Sequence, residues 1–243
     1  MPQSFDNTRC RLFFSILEHI GVIAFAISGA IVAIDRETDI FGVIILSFVT
    51  TFSGGVMRDV VLGITPSFFT SYTSYIIVCF ITSIAVIIFA LIFKKTFIKD
   101  EKLLGSINNY IDAIGLGVFS VAGVKIAISL GYTGAFIAIF MGVLSSVGGG
   151  MVRDVILGDI PFVLRKRVYA IACIVGASLY YLLWYVGADD IAAMLISTLT
   201  TVGIRVAATV FKWNIPKVIK FSEISSFFIN TILIKHQSLT VKN

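Results

Sequence analysis

Seven apolar runs alternate with short polar segments along this chain, and each run is long enough to cross a bilayer; a spanning helix needs about 20 residues. They predict helices over 12–34, 40–62, 72–93, 107–130, 133–157, 168–186 and 191–211. The second and fifth runs break the apolar pattern in the same way. Each passes through glycines, then an Arg-Asp pair, then a further glycine and a proline. The expected fold is an all-α membrane protein with seven transmembrane helices.

Those interruptions are two copies of one phrase. Gly54-Gly55-Val56-Met57-Arg58-Asp59-Val60-Val61-Leu62-Gly63-Ile64-Thr65-Pro66 returns 95 residues later as Gly149-Gly150-Met151-Val152-Arg153-Asp154-Val155-Ile156-Leu157-Gly158-Asp159-Ile160-Pro161, with eight of thirteen positions identical. The repeat unit is three helices. Three is odd, so the second unit enters the membrane from the opposite side, and the two form inverted-topology repeats. The chain divides into 1–104 (N-terminal tail and first repeat), 105–188 (second repeat), 189–213 (seventh helix) and 214–243 (tail). An apolar stretch in the tail, 224–234, could lie on the membrane or dock.

Composition agrees with a bilayer as solvent. Of 243 residues, 58% are hydrophobic and only 14% charged, against roughly 25% charged in a soluble globule. Mean hydropathy is +1.00. The net charge of +5 is no nucleic-acid signal, because the basic residues gather at segment ends. Lys94, Lys95, Lys99, Lys102, Arg165, Lys166, Arg167, Lys212, Lys217 and Lys220 all follow odd-numbered helices, while Arg9 and Arg11 lie on the other side. The positive-inside rule then puts the C-terminus in the cytoplasm and the N-terminus outside, as in a plasma (inner) membrane. Tyr180, Tyr181, Trp184 and Tyr185 are expected as an outer aromatic belt, and Trp213 as an inner anchor. Cys10, Cys79 and Cys173 have no paired spacing, so neither a disulfide framework nor a metal site is indicated. There is no Ser-His-Asp set or phosphate loop, so no enzyme and no cofactor is expected.

The glycines Gly54, Gly55, Gly148, Gly149 and Gly150 admit two readings: close helix packing, or kinks that break the second and fifth helices. Small polar residues precede them, Thr50, Thr51 and Ser53 in one copy and Ser145 and Ser146 in the other. A broken helix in lipid must face protein or water, so the pattern predicts polar, pore-lining breaks. Arg58-Asp59 and Arg153-Asp154 follow the breaks. Neighbours in sequence point about 100° apart on a helix, so pairing is expected across the interface between repeats, or with the breaks of neighbouring helices, rather than within a pair. A structural ion-pair cross and a field-setting role on an aqueous path both remain open. Lys125, alone in the fourth helix, either snorkels to the outer interface or aims into a water-filled cavity as a gate. Asp112 and Arg205 are further intramembrane charges that could simply be satisfied interfacial residues, and His19 beside Glu18 reads as structural.

These residues resemble a known family. Two copies of Gly-Gly-x-x-Arg-Asp-x-x-Leu-Gly in helices two and five of a seven-helix inverted repeat look like the trimeric intracellular cation channel (TRIC) family in its bacterial and archaeal form. The resemblance covers residues 12–211. It implies a homotrimer, an hourglass pore in each subunit for potassium or sodium ions, chiefly potassium, contact with membrane lipids, and glycine-kinked helices around the pore. It also implies a gating or lipid-linked role for the basic residue matching Lys125. Phosphoinositide binding does not carry over, because only Lys125 of that basic pattern is present. Similar bacterial sequences have been proposed to take up small amino acids such as glycine, which makes a secondary transporter the alternative.

Overall fold

The computed structural model of the protein describes residues 8–66, 73–93, 101–165 and 168–213, without the side chains of 101–103. The tail 214–243, the expected apolar stretch within it, and most of the basic loop residues lie outside this set. Among the described residues, seven helices are long and apolar enough to span a membrane: α1 (Thr8–Asp35), α2 (Ile40–Val61), α3 (Thr73–Ile92), α4 (Glu101–Ser129), α5 (Ala135–Ile156), α6 (Val168–Tyr185) and α7 (Asp190–Val210). A single turn of helix, Phe162–Arg165, precedes α6. The architecture is the all-α, seven-span one that the hydrophobic pattern predicts.

Backbone chemistry sets the helix ends. The Asp39 carboxylate accepts from Gly42 N–H at 2.7 Å to start α2, and that of Asp189 accepts from Ala192 N–H at 3.0 Å to start α7. The Leu-Gly of each repeated phrase is a helix stop. Gly63 and Gly158 both adopt φ +72°, a left-handed conformation that favours glycine. The bonds from Gly63 N to Val60 O and from Ile64 N to Asp59 O close the first end; Gly158 N to Val155 O and Asp159 N to Asp154 O close the second.

The glycines upstream do not break α2 or α5. Both helices run on without interruption from Ile40 to Val61 and from Ala135 to Ile156, which corrects the expected breaks at 53–55 and 148–150. The reason is steric. A Cβ on Gly54 would collide with the Ser145 carbonyl oxygen, and one on Gly149 with that of Thr50. The two helices therefore cross in backbone contact, and glycine supplies the room. In lipid there is no hydrophobic force to press helices together, so close approach of small residues supplies the packing. Thr50 with Gly149 and Gly54 with Ser145 are one contact read in both directions, since each residue lies 95 positions from its counterpart. The other crossings use the same device: Gly29 of α1 lies against Leu46 and Thr50, Gly123 of α4 against Met141 and Gly142, and Gly176 of α6 against Thr201 of α7.

α1 and α4 run antiparallel through the centre. Ser28 meets Asp112, Gly115 meets Phe25, and Gly21 meets Val118, so one number falls as the other rises. Within α1–α3, and again within α4–α6, every helix touches the other two. α7 packs on α4 and α6.

Candidate functional site

Two clefts that carry charged side chains open at opposite ends of this bundle, the first with largely apolar walls and the second largely polar. The first, about 480 Å³, is lined by Glu18 and Val22 of α1, Thr51, Gly55, Arg58 and Asp59 of α2, and Tyr75 of α3. The second, about 660 Å³, is lined by Asp35 of α1, Arg36, Asn108 and Asp112 of α4, Arg153 and Asp154 of α5, and Tyr169 of α6. Glu18 and Asp35 stand about 25 Å apart along one straight helix, so the clefts face different ends. Between them lies the α2–α5 crossing, with Thr50, Gly54, Ser145, Gly148 and Gly149 buried at its centre. Ser53, Ser146 and Gly150 line neither of the two clefts.

Each cleft is built on the repeated Arg-Asp pair. Arg58 Nε donates to Asp59 Oδ1 at 2.7 Å, and its Nη2 lies 2.6 Å from the same oxygen. Arg153 donates to Asp154 Oδ1 from Nε at 2.9 Å and from Nη2 at 2.8 Å. The expectation that neighbours in sequence would not pair is thus corrected. The arginine stem is long enough to fold its fork back across the 100° offset. What reaches across the repeats is a hydrogen bond to a hydroxyl: Arg58 Nη1 to Ser145 Oγ, and Arg153 Nη1 to Ser28 Oγ, each at 3.3 Å. All four charged groups are buried. Both arginines sit in the last turn of their helices, where the helix dipole favours a cation. The second Oδ of Asp154 also accepts from Phe162 N–H at 2.8 Å and so anchors the turn that follows.

The hydroxyls keep their hydrogens on the helix. Thr50, Thr51 and Ser53 donate to the carbonyls of Leu46, Ser47 and Val49, and Ser146 to that of Val143. Their oxygens retain lone pairs that can face a cation or a donor. Thr51 is the one of these four that lines a cleft.

Acids and tyrosines that the motif does not contain complete each cleft. Tyr75 Oη donates to Glu18 Oε2 at 2.9 Å, and the Tyr75 ring packs on His19 with centroids 4.3 Å apart. In the second cleft Ser28 Oγ donates to Asp112 Oδ1 at 3.5 Å, and Arg205 of α7 brings Nη2 to 3.8 Å from Asp112 Oδ2. The Arg205 guanidinium lies over the Tyr169 ring, 4.6 Å from its centroid. Sequence reasoning passed over Glu18, Tyr75 and Tyr169 and gave Asp112 and Arg205 little weight. A signal was available. Glu18 and Asp112 are 94 positions apart, as are Tyr75 and Tyr169, almost the 95 that separates the arginines.

Lys125 points into neither cleft. It is buried and ion-paired with Asp190 Oδ2 at the start of α7. Tyr180 Oη donates to Asp190 Oδ1 at 2.7 Å, Cys10 Sγ to Asp190 Oδ2 at 2.8 Å, and Lys125 Nζ lies 3.7 Å from Cys10 Sγ. This cluster ties together α1, α4, α6 and α7. Tyr180 is fully buried in it, which removes it from the expected aromatic belt. Nearby, the Tyr181 ring stacks on Tyr185 and meets Trp184 at a tilt. The water-filled cavity expected for Lys125 gives way to a carboxylate 65 residues away, which no local pattern announces.

Comparison with known proteins places these features in a group. A family described as glycine transporter matches residues 15–91 and 109–185. A UPF0126 membrane protein of Vibrio cholerae is 36% identical over 82% of this chain and 80% of its own length. The UPF0126 inner membrane protein YadS of Escherichia coli K12 is 34% identical over 82% of this chain and 92% of its own. The solved TRIC orthologue from Rhodobacter sphaeroides has a TM-score of 0.74 and 32% identity, over 82% of this chain and 98% of that one. A TRIC cation channel solved to explain conductance has a TM-score of 0.73 and 33% identity, over 85% of this chain and 98% of that one.

Proposed function

The chain belongs to the TRIC family, among the prokaryotic membrane proteins named UPF0126, and on that premise we propose that it conducts monovalent cations, potassium among them, through its own seven-helix body. The observation that carries this reading is the pair of clefts. They enter from opposite ends, each holds a buried Arg-Asp pair, and the α2–α5 crossing lies between them. Ions enter one cleft, pass the contact of Thr50, Gly54, Ser145 and Gly149, and leave by the other. Conduction requires that crossing to part, so it is the gate. The glycines Gly54, Gly55, Gly148, Gly149 and Gly150 serve it by packing closely enough to shut and lightly enough to slide. Arg58, Asp59, Arg153 and Asp154 set the field at its two mouths. Lys125, held to Asp190, fixes α7 against α4 and biases the gate indirectly.

Three copies form the working unit, as in the trimeric orthologue. The many exposed apolar side chains of α3, among them Ile77, Phe80, Ile81, Ile88 and Phe89, face lipid or a neighbouring copy. The first cleft faces outward and the second the cytoplasm, by the distribution of basic loop residues.

A second reading has its own support. The family description names glycine, and each cleft offers both a guanidinium and a carboxylate, the chemistry that holds a zwitterion. Liposome flux separates the two. Rapid, non-saturating potassium flux indifferent to external glycine is the expected result. Saturable glycine uptake without potassium flux would overturn the channel reading and make Arg58 and Arg153 substrate ligands.

A further inference from the structure

The two clefts share a plan and differ in one charge. In the second, Arg205 from α7 stands 3.8 Å from the Asp112 carboxylate, Ser28 donates to it, and Arg153 lies on the far side of Ser28. Arg205 is 3% exposed. That acid is answered from within the protein. α7 is outside the repeat and packs on the second unit, so the first cleft has no such visitor. There Glu18 occupies the position of Asp112, is 9% exposed, and lines the cleft. Among the described residues its one hydrogen bond comes from Tyr75, to Oε2, and no cation lies within ion-pair distance. The guanidinium of Arg58, also in that cleft, is engaged with Asp59 and Ser145.

Among the buried charged side chains, Glu18, Arg58 and Asp59 give a formal charge of −1 at the first site, whereas Asp112, Arg153, Asp154 and Arg205 give zero at the second. An ionised carboxylate held out of water without a counter-charge is costly, and a cation entering the cleft would supply one. Resting on the channel reading above, we propose that Glu18 is the cation-binding, selectivity-setting residue. A monovalent cation would sit in the first cleft against the open oxygen Oε1, on a wall that also carries Thr51 and Asp59. Tyr75 is a positioning residue, holding Oε2 so that Oε1 faces the cleft. Selectivity is then set on one side of the gate only, and Arg205 keeps the other side neutral and permissive.

Two measurements on the full-length protein test this. In planar bilayers under a potassium chloride gradient, Glu18→Gln should lower the potassium-to-chloride permeability ratio by about tenfold, and Glu18→Asp should restore most of it. In detergent, potassium chloride should raise the thermal midpoint of the wild type above that in N-methylglucamine chloride at equal ionic strength, and Glu18→Gln should abolish the difference. An unchanged permeability ratio in Glu18→Gln overturns the proposal, as it would if Glu18 stayed protonated. If Glu18→Gln does not fold, the lack of a potassium-dependent midpoint shift in the wild type overturns it instead. A wild type that carries no current yet shows the shift, lost in Glu18→Gln, refutes conduction and leaves the site standing.

Discussion

Arg58 and Arg153 each hold an aspartate next door in sequence and a serine on another helix. Removing one guanidinium leaves a buried carboxylate without its fork, which costs about 3–5 kcal/mol. Arg58→Ala and Arg153→Ala should therefore lower the thermal midpoint and the yield of folded protein before any effect on current can be read. Stable variants with altered current would place the arginines on the path rather than in its wall. Lys125→Met should likewise unsettle α7, since Asp190 would keep only Tyr180 and Cys10. With Asp190 26% exposed, water softens that loss to about 1–3 kcal/mol. Thermal denaturation in detergent checks it, and an unchanged midpoint would show that the ion pair is not what fastens α7.

At the scale of elements, the crossing of α2 and α5 decides most. Gly54→Ala and Gly149→Ala each push a methyl into a backbone carbonyl of the other helix, so neither helix can relax by turning a rotamer. Overpacking of this kind costs about 1–3 kcal/mol, and both variants should lose stability and current together. Gly105→Ala makes a fair contrast, because nothing lies within 4 Å of its Cβ position. It should leave thermal midpoint and flux as they are. Equal effects at Gly54 and Gly105 would mean that the glycines matter through helix propensity and not through contact. The doubled glycines were legible as special, but packing and kinking use the same residue type. Which one applies depends on how near the next helix comes, and that distance is not written in either helix.

Across the whole molecule, the two three-helix sets present matching clefts to opposite ends, and α7 supplies the difference between them. The asymmetry has a consequence for chemical labelling of the wild type. Its three cysteines, Cys10, Cys79 and Cys173, are all buried, so a membrane-impermeant maleimide should react slowly from either side until the helices part. Faster labelling of Cys10 under conditions that open the channel would report movement of α7 away from α1. Constant labelling across those conditions would confine gating to the α2–α5 contact.

The sequence by itself determined the solvent, the seven spans and the doubled motif. Lipid forces each span to satisfy its own backbone, so hydrophobic length and local helix-stop chemistry at Gly63 and Gly158 are enough to set them. Tertiary structure decided which residues answer which charges. Asp59 and Asp154 take the arginines beside them, Asp190 takes Lys125, Arg205 comes to Asp112, and among the described residues no cation comes within ion-pair distance of Glu18. The Lys125–Asp190 and Arg205–Asp112 pairs join residues 65 and 93 positions apart, according to which helices become neighbours. That is a property of packing, and no stretch of chain carries it alone.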